Sequence, residues 1–100
     1  MRQLLNLRSS GAMTFDGLDA VAWIVSMRSP VNTPPRTKNI APGVLYTFII
    51  RQDATGHNFT WPAKCHNAAP VDTSPNAVTV QNFIGSTGGE LYPNIPGVWQ

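Results

Sequence analysis

The sequence predicts a small all-β domain rich in turns, and three observations carry that prediction. Apolar residues alternate over short runs whose β-branched and aromatic content favours strands. Glycine (8) and proline (9) break those runs at close intervals. Charged residues are only 12% of the chain, about half the usual share for a globular protein. At 100 residues the chain has the size of one domain with one modest core, so residues 1–100 are expected to form a single unit. It divides into N-terminal strands with a proline-rich connection (1–43), a central hairpin with the last strand (44–84) and an extended tail (85–100).

The elements follow in order. Leu5 and Leu7 alternate with Asn6 and Arg8 in a short first strand, which Ser9-Ser10-Gly11 ends. Met13 to Asp16 suits a second short strand closed by the Asp16-Gly17 turn. Ala20 to Met27 is apolar on both alternating sets, with Val21, Trp23, Val25 and Met27 on one face and Ala20, Ala22 and Ile24 on the other. Such a strand is either central in a covered sheet or packs its second face on another subunit. Val21, Trp23, Val25 and Met27 are therefore the candidate oligomer interface. A helix is the competing reading of this run, because it follows Asp19 and contains alanines, but Val, Trp and Ile with the Ser29-Pro30 stop favour a strand. Ser29 to Gly43 holds four prolines and reads as an extended, irregular connection.

Leu45 to Gln52 is a run of β-branched and aromatic residues, Asp53-Ala54-Thr55-Gly56 supplies turn chemistry, and Phe59 and Trp61 resume on alternate positions. The segment reads as a complete hairpin that Pro62 ends. After a polar, proline-punctuated stretch from Ala63 to Asn76, Ala77 to Ile84 forms the last strand. Val78, Val80 and Ile84 share one of its faces, and Ala77, Thr79, Gln81 and Phe83 the other. Gly85 to Gly89 is a turn, and Leu91 to Trp99 an extended tail.

Composition also bounds function. The net charge is +2 and the seven basic residues are scattered, with only Arg36 and Lys38 close together, so no basic stripe for nucleic acid is expected. No run approaches the roughly 18 apolar residues of a membrane span. The opening MRQLLNLRSS lacks the apolar core of a secretory signal. A single cysteine, Cys65, excludes an internal disulfide framework, which fits assembly in the cytosol and leaves the fold to packing and oligomerisation.

His57, Cys65 and His66 are the soft metal-ligand candidates. Adjacent strand residues point to opposite faces, so Cys65 and His66 do not converge, and no metal or other cofactor is expected. Ser74 with His57 and Asp72 or Asp53 makes a nominal hydrolytic set without a nucleophile elbow, so no catalytic residue is assigned. Asp16 and Asp53 read as turn residues, which leaves few carboxylates for glycoside hydrolysis. Trp61, Tyr92 and Trp99 are candidate ligand or subunit contacts. Trp61 alternates with Thr60 and reads better as core, whereas Tyr92 and Trp99 lie in the tail.

Tyr46-Thr47-Phe48-Ile49-Ile50, Gln52-Asp53-Ala54-Thr55-Gly56, Phe59-Thr60-Trp61-Pro62, Asn76-Ala77-Val78-Thr79-Val80-Gln81-Asn82-Phe83 and Gly88-Gly89 together resemble a β-domain of bacteriophage tail-fibre, minor tail and other virion proteins. The chain departs from that pattern at His57, where a second glycine is usual. The resemblance implies a small antiparallel β-sandwich or jelly-roll-like domain that associates as a homotrimer on the virion with other virion proteins. It implies a non-enzymatic role, as a tail-fibre or tail-associated receptor-binding module that meets a host-surface glycan. A capsid decoration or head-fibre protein is the near alternative, and a carbohydrate-binding module the alternative from another class. The pattern fits equally a whole protein and a piece of a longer fibre.

Overall fold

A computed structural model describes residues 3–10 and 13–93. The described residues form seven strands: β1 (Gln3–Arg8), β2 (Thr14–Asp16), β3 (Ala20–Ser26), β4 (Arg36–Lys38), β5 (Leu45–Arg51), β6 (Val78–Gly85) and β7 (Leu91–Pro93), with one 3-10 turn at Thr87–Gly89. They make a five-stranded sheet in the order β1-β3-β5-β6-β7 and a separate pair, β2-β4.

The β1-β3-β5 half of the large sheet is parallel, and β6 and β7 add to it antiparallel. The all-β expectation holds, but a purely antiparallel sheet does not form. Parallel neighbours need crossovers, because a tight turn cannot return the chain to the same end of the sheet. Here the crossovers run through residues 9–19 and 27–44, and each contributes one short strand to a second layer. Those strands, β2 and β4, then pair with each other in parallel.

The expected hairpin is corrected. Leu45–Arg51 is a strand, but its antiparallel partner is β6, and Phe59 forms only an isolated bridge to Val31. Both edges of β5 are already occupied by the long apolar strands β3 and β6, so residues 57–62 have no edge left to join. The local turn chemistry survives. Asp53 Oδ1 accepts the backbone N–H groups of Thr55 (2.9 Å) and Gly56 (3.0 Å), and Gly56 sits at φ +83°. A side chain there would also collide, since its Cβ would come within 2.0 Å of the Thr73 carbonyl oxygen.

The loop that follows is closed at its neck by Gln52 N–H to Ala77 O (2.8 Å) and Asn76 N–H to Asp53 O (2.8 Å). The buried Gln52 side chain holds both backbone groups of His57, donating to its carbonyl (2.8 Å) and accepting from its N–H (2.7 Å). From there the chain crosses the sheet face and covers the core.

That core lies on one side of the sheet. Trp23, Val25, Tyr46, Phe48, Ile50 and Phe83 project from it and are fully buried, with Phe15 of β2 laid against them. Phe15 meets Trp23 and Phe48 edge-on at 5.4 and 5.0 Å, a geometry favoured by ring quadrupoles. The second layer consists of the β2-β4 pair and the loop from Gln52 to Ala77.

Candidate functional site

Among the described residues the opposite side of the sheet is left open. Strand alternation and register fix its composition, because residues between the core positions must point the other way. One row runs Leu4, Ala22, Thr47, Asn82, and the next Asn6, Ile24, Ile49, Val80. A third pairs Leu45 with Ile84 and Ile84 with Tyr92, and the last runs Arg8, Ser26, Arg51, Val78. Leu45, Val78 and Val80 are more than half exposed, at 53%, 55% and 57%. Thr47 and Asn82 interrupt the apolar rows, but the threonine hydroxyl donates to the asparagine Oδ1 at 2.8 Å, so each supplies the other with a partner. Arg8 and Arg51 mark one end of the face with positive charge.

The candidate oligomer interface is thereby moved to the other parity. Trp23, Val25 and Met27 are buried inside the chain itself, and Val21 packs partly against the same core. Burial alternates from Ala22 to Met27 and breaks at Ala20, which is fully buried although it shares parity with Ala22 and Ile24; both residue sets are apolar, so periodicity alone does not say which faces inward. The larger set went inward, where Trp23 fills the space between Phe15, Tyr46 and Phe48. Ala22 and Ile24 were left on the open face.

Trp61 is half-buried and packs edge-on against Phe48, Phe59 and Phe83 at 5.6, 5.2 and 5.6 Å. Its indole N–H donates to the Ala69 carbonyl at 2.9 Å. The residue thus anchors the loop to the sheet, packed against the core and partly buried. Tyr92 is exposed and stacks on His66 with ring centres 4.8 Å apart. Trp99 lies outside the described residues.

Cys65 and His66 add a short edge to β7, with His66 N–H donating to Leu91 O at 2.9 Å. They face opposite ways, as expected: Cys65 packs toward the core, where burial pushes its thiol up to about 12, and His66 faces out beside Tyr92. Glu90 holds this corner together, hydrogen-bonding His66 and pairing with Lys64 at 2.8 Å. Lys64 and then His66 keep its carboxyl below the usual carboxylate range.

His57 pairs with Asp53 at 3.0 Å, and the Ser74 backbone N–H donates to Asp72 Oδ1 at 2.9 Å; among the described residues no hydrogen bond joins Ser74 to His57. Among the described residues no three His, Cys, Asp or Glu side chains are grouped as metal ligands.

A cleft of about 740 Å³ lies on the far layer, lined by Thr14, Asp16, Asp19, Arg36, Lys38 and Lys64 among others. Sequence reading did not single it out, although the nearness of Arg36 to Lys38 and the Asp16 turn were its visible traces.

The sheet is sealed on one face and carries exposed apolar residues, Leu4, Leu45, Val78 and Val80 among them, on the other. Residues 19–90 match the family described as Putative phage tail fibre C-terminal domain, and the chain belongs to that family. It is a tail-associated structural protein of a bacteriophage and a component of the virion. The match begins well before the Tyr46–Gly89 motifs and takes in β3 and the proline-rich connection. No curated protein and no solved structure matches the chain.

Proposed function

We propose that the chain is a non-enzymatic, receptor-binding module of a tail fibre, and that it assembles as a homotrimer through the open face of its five-stranded sheet. The observation that carries this reading is the uncovered row of Ile24, Ile49 and Val80 flanked by Leu4, Leu45 and Ile84. With strands about 4.8 Å apart and residues about 3.3 Å apart, the face spans roughly 500 Å² in projection. Its accessible area is then of the order of the 800 Å² that one partner gives to a standard interface.

The occupant is a second copy of the chain. The Thr47–Asn82 pair at the centre is already internally hydrogen-bonded, which satisfies the threonine donor and the asparagine oxygen and leaves the Asn82 amide N–H groups to donate across the interface. Arg8 and Arg51 sit at the end of the face, where an interface rim is polar. The trimeric number is the one that the resemblance to tail-fibre proteins implies. In such an assembly the β2-β4 layer of each copy faces outward, free to meet the host surface.

Light scattering tests the assembly: the parent chain is expected at three times its 10.9 kDa mass, and Ile49→Lys with Val80→Lys at 10.9 kDa. The receptor role is tested by competition, in which the purified module should slow adsorption of the parent virion to its host cells. A module that assembles but leaves adsorption unchanged would remove the receptor reading and keep the structural one.

A further inference from the structure

The outward side of the β2-β4 pair has a chemistry that neither the core nor the open sheet face requires. Phe15 is fully buried against Trp23 and Phe48, so its neighbours Thr14 and Asp16 must project away from the sheet. Parallel register then sets Thr14 beside Arg36 and Asp16 beside Lys38, with Arg36 and Lys38 exposed. Together with Asp19 and the Ala63–Lys64 turn these residues line the 740 Å³ cleft, a volume within the range of small-ligand sites.

Most of the polar groups here are unspent. Asp16 Oδ1 accepts both the Leu18 N–H and the Asn39 amide, each at 2.9 Å, and these bonds keep the carboxyl ionised. Its Oδ2 has no hydrogen-bond partner among the described residues. Lys38 lies near enough to favour the Asp16 charge, yet neither Lys38 nor Arg36 has an ion pair or side-chain hydrogen bond among the described residues. Asp19 and the Thr14 hydroxyl are also without partners among them. Lys64 is different, because Glu90 already neutralises it.

We propose that this cleft binds an anionic sugar, a saccharide unit bearing a carboxylate or a phosphate. The anion pairs with Arg36 and Lys38, for which the planar guanidinium gives bidentate contact. The ring hydroxyls donate to Asp16 Oδ2 and Asp19 and exchange hydrogen bonds with Thr14. This mixture of cations and carboxylates within one cleft suits a ligand that combines one charge with many hydroxyls. It disfavours nucleic acid, whose continuous phosphates would meet Asp16 and Asp19, and among the described residues no aromatic side chain lines the cleft for base stacking. An acidic peptide would meet the same two carboxylates without hydroxyls to offer them. Pro34 and Pro35 brace one wall, limiting the backbone freedom lost on binding.

The inference rests on the host-contacting reading above, and the test separates the two. Chemical-shift mapping on the isotope-labelled full chain uses trigalacturonic acid, glucose 6-phosphate, neutral maltotriose and tetraglutamate. The expected result is movement of backbone amides in 14–19 and 36–39 with at least one of the two anionic sugars, weakening as salt is raised, and none with maltotriose or tetraglutamate. Response to trigalacturonic acid alone identifies a carboxylate sugar, and to glucose 6-phosphate alone a phosphosugar.

The double variant R36Q/K38Q should lose about tenfold or more in affinity through its missing charge-assisted bonds. Its mass and melting temperature should match the parent. Silence with both anionic sugars, equal response to maltotriose or tetraglutamate, or undiminished binding by R36Q/K38Q would each overturn the site. Binding by a parent chain that proves monomeric would leave the cleft in place and remove only the trimer.

Discussion

Trp61 shows how one side chain decides what a loop does. The sequence between Gln52 and Ala77 has too little apolar content to fold by itself, yet Trp61 inserts among three phenylalanines and spends its N–H on Ala69. Trp61→Ala removes those contacts and should cost about 3–4 kcal/mol, measured by denaturant unfolding. A midpoint unchanged from the parent would mean the ring is not part of the core. Cys65 makes a second residue-scale case. With its thiol pushed up to about 12 by burial, almost none is thiolate at pH 8, so alkylation by iodoacetamide should be slow in the folded chain and fast in denaturant. Because the side chain packs toward the core, Cys65→Ser should destabilise by about 1–2 kcal/mol, more than an exposed site would.

At the level of elements, strand positions were legible because period-2 alternation and turn residues are local signals. β3, β5 and β6 fall where apolar runs put them, and even β2 was visible from Phe15 and the Asp16-Gly17 turn. Pairing was not legible, because it depends on which strands compete for an edge. Residues 57–62 look like the return arm of a hairpin, and they lose that place to β6, whose Val78-to-Ile84 run offers a longer ladder. The parallel half of the sheet was hidden for the same reason, since neither the crossover through residues 9–19 nor the proline-rich one through 27–44 carries a periodic signature of pairing. The open face illustrates a third limit. Alternation separates Trp23, Val25 and Met27 from Ala22 and Ile24, but only packing against Phe15 and Phe48 shows which set is inside. The cleft depends on β2 meeting β4 across a separation in sequence, so its charges could be seen singly but not as a group.

For the whole molecule, acid sensitivity is set by carboxylates at the turns. Asp53 is held below its ordinary 3.8 by the Gly56 N–H, then His57 and the Thr55 N–H, Asp16 by Asn39 and Leu18, and Asp72 by Ser74. Glu90 is held below 4.5 by Lys64 and His66. Carboxyls depressed in the folded state contribute stability that is fully present above those ordinary values and is lost as pH falls through the folded ones. Melting temperature should therefore fall steadily once the pH drops below about 4, through additive small losses at exposed sites. A melting temperature constant down to pH 2 would show that these turn bonds add nothing to stability.

The same whole-molecule scale decides the central claim, that the open sheet face joins copies of the chain. Multi-angle light scattering of the purified protein at micromolar concentration measures it most directly. The parent should run at three times 10.9 kDa, and Ile49→Lys with Val80→Lys, placed on the exposed side of β5 and β6, should run at 10.9 kDa while remaining folded. A parent that is a stable 10.9 kDa monomer, or a folded double variant with the parent's mass, would contradict it.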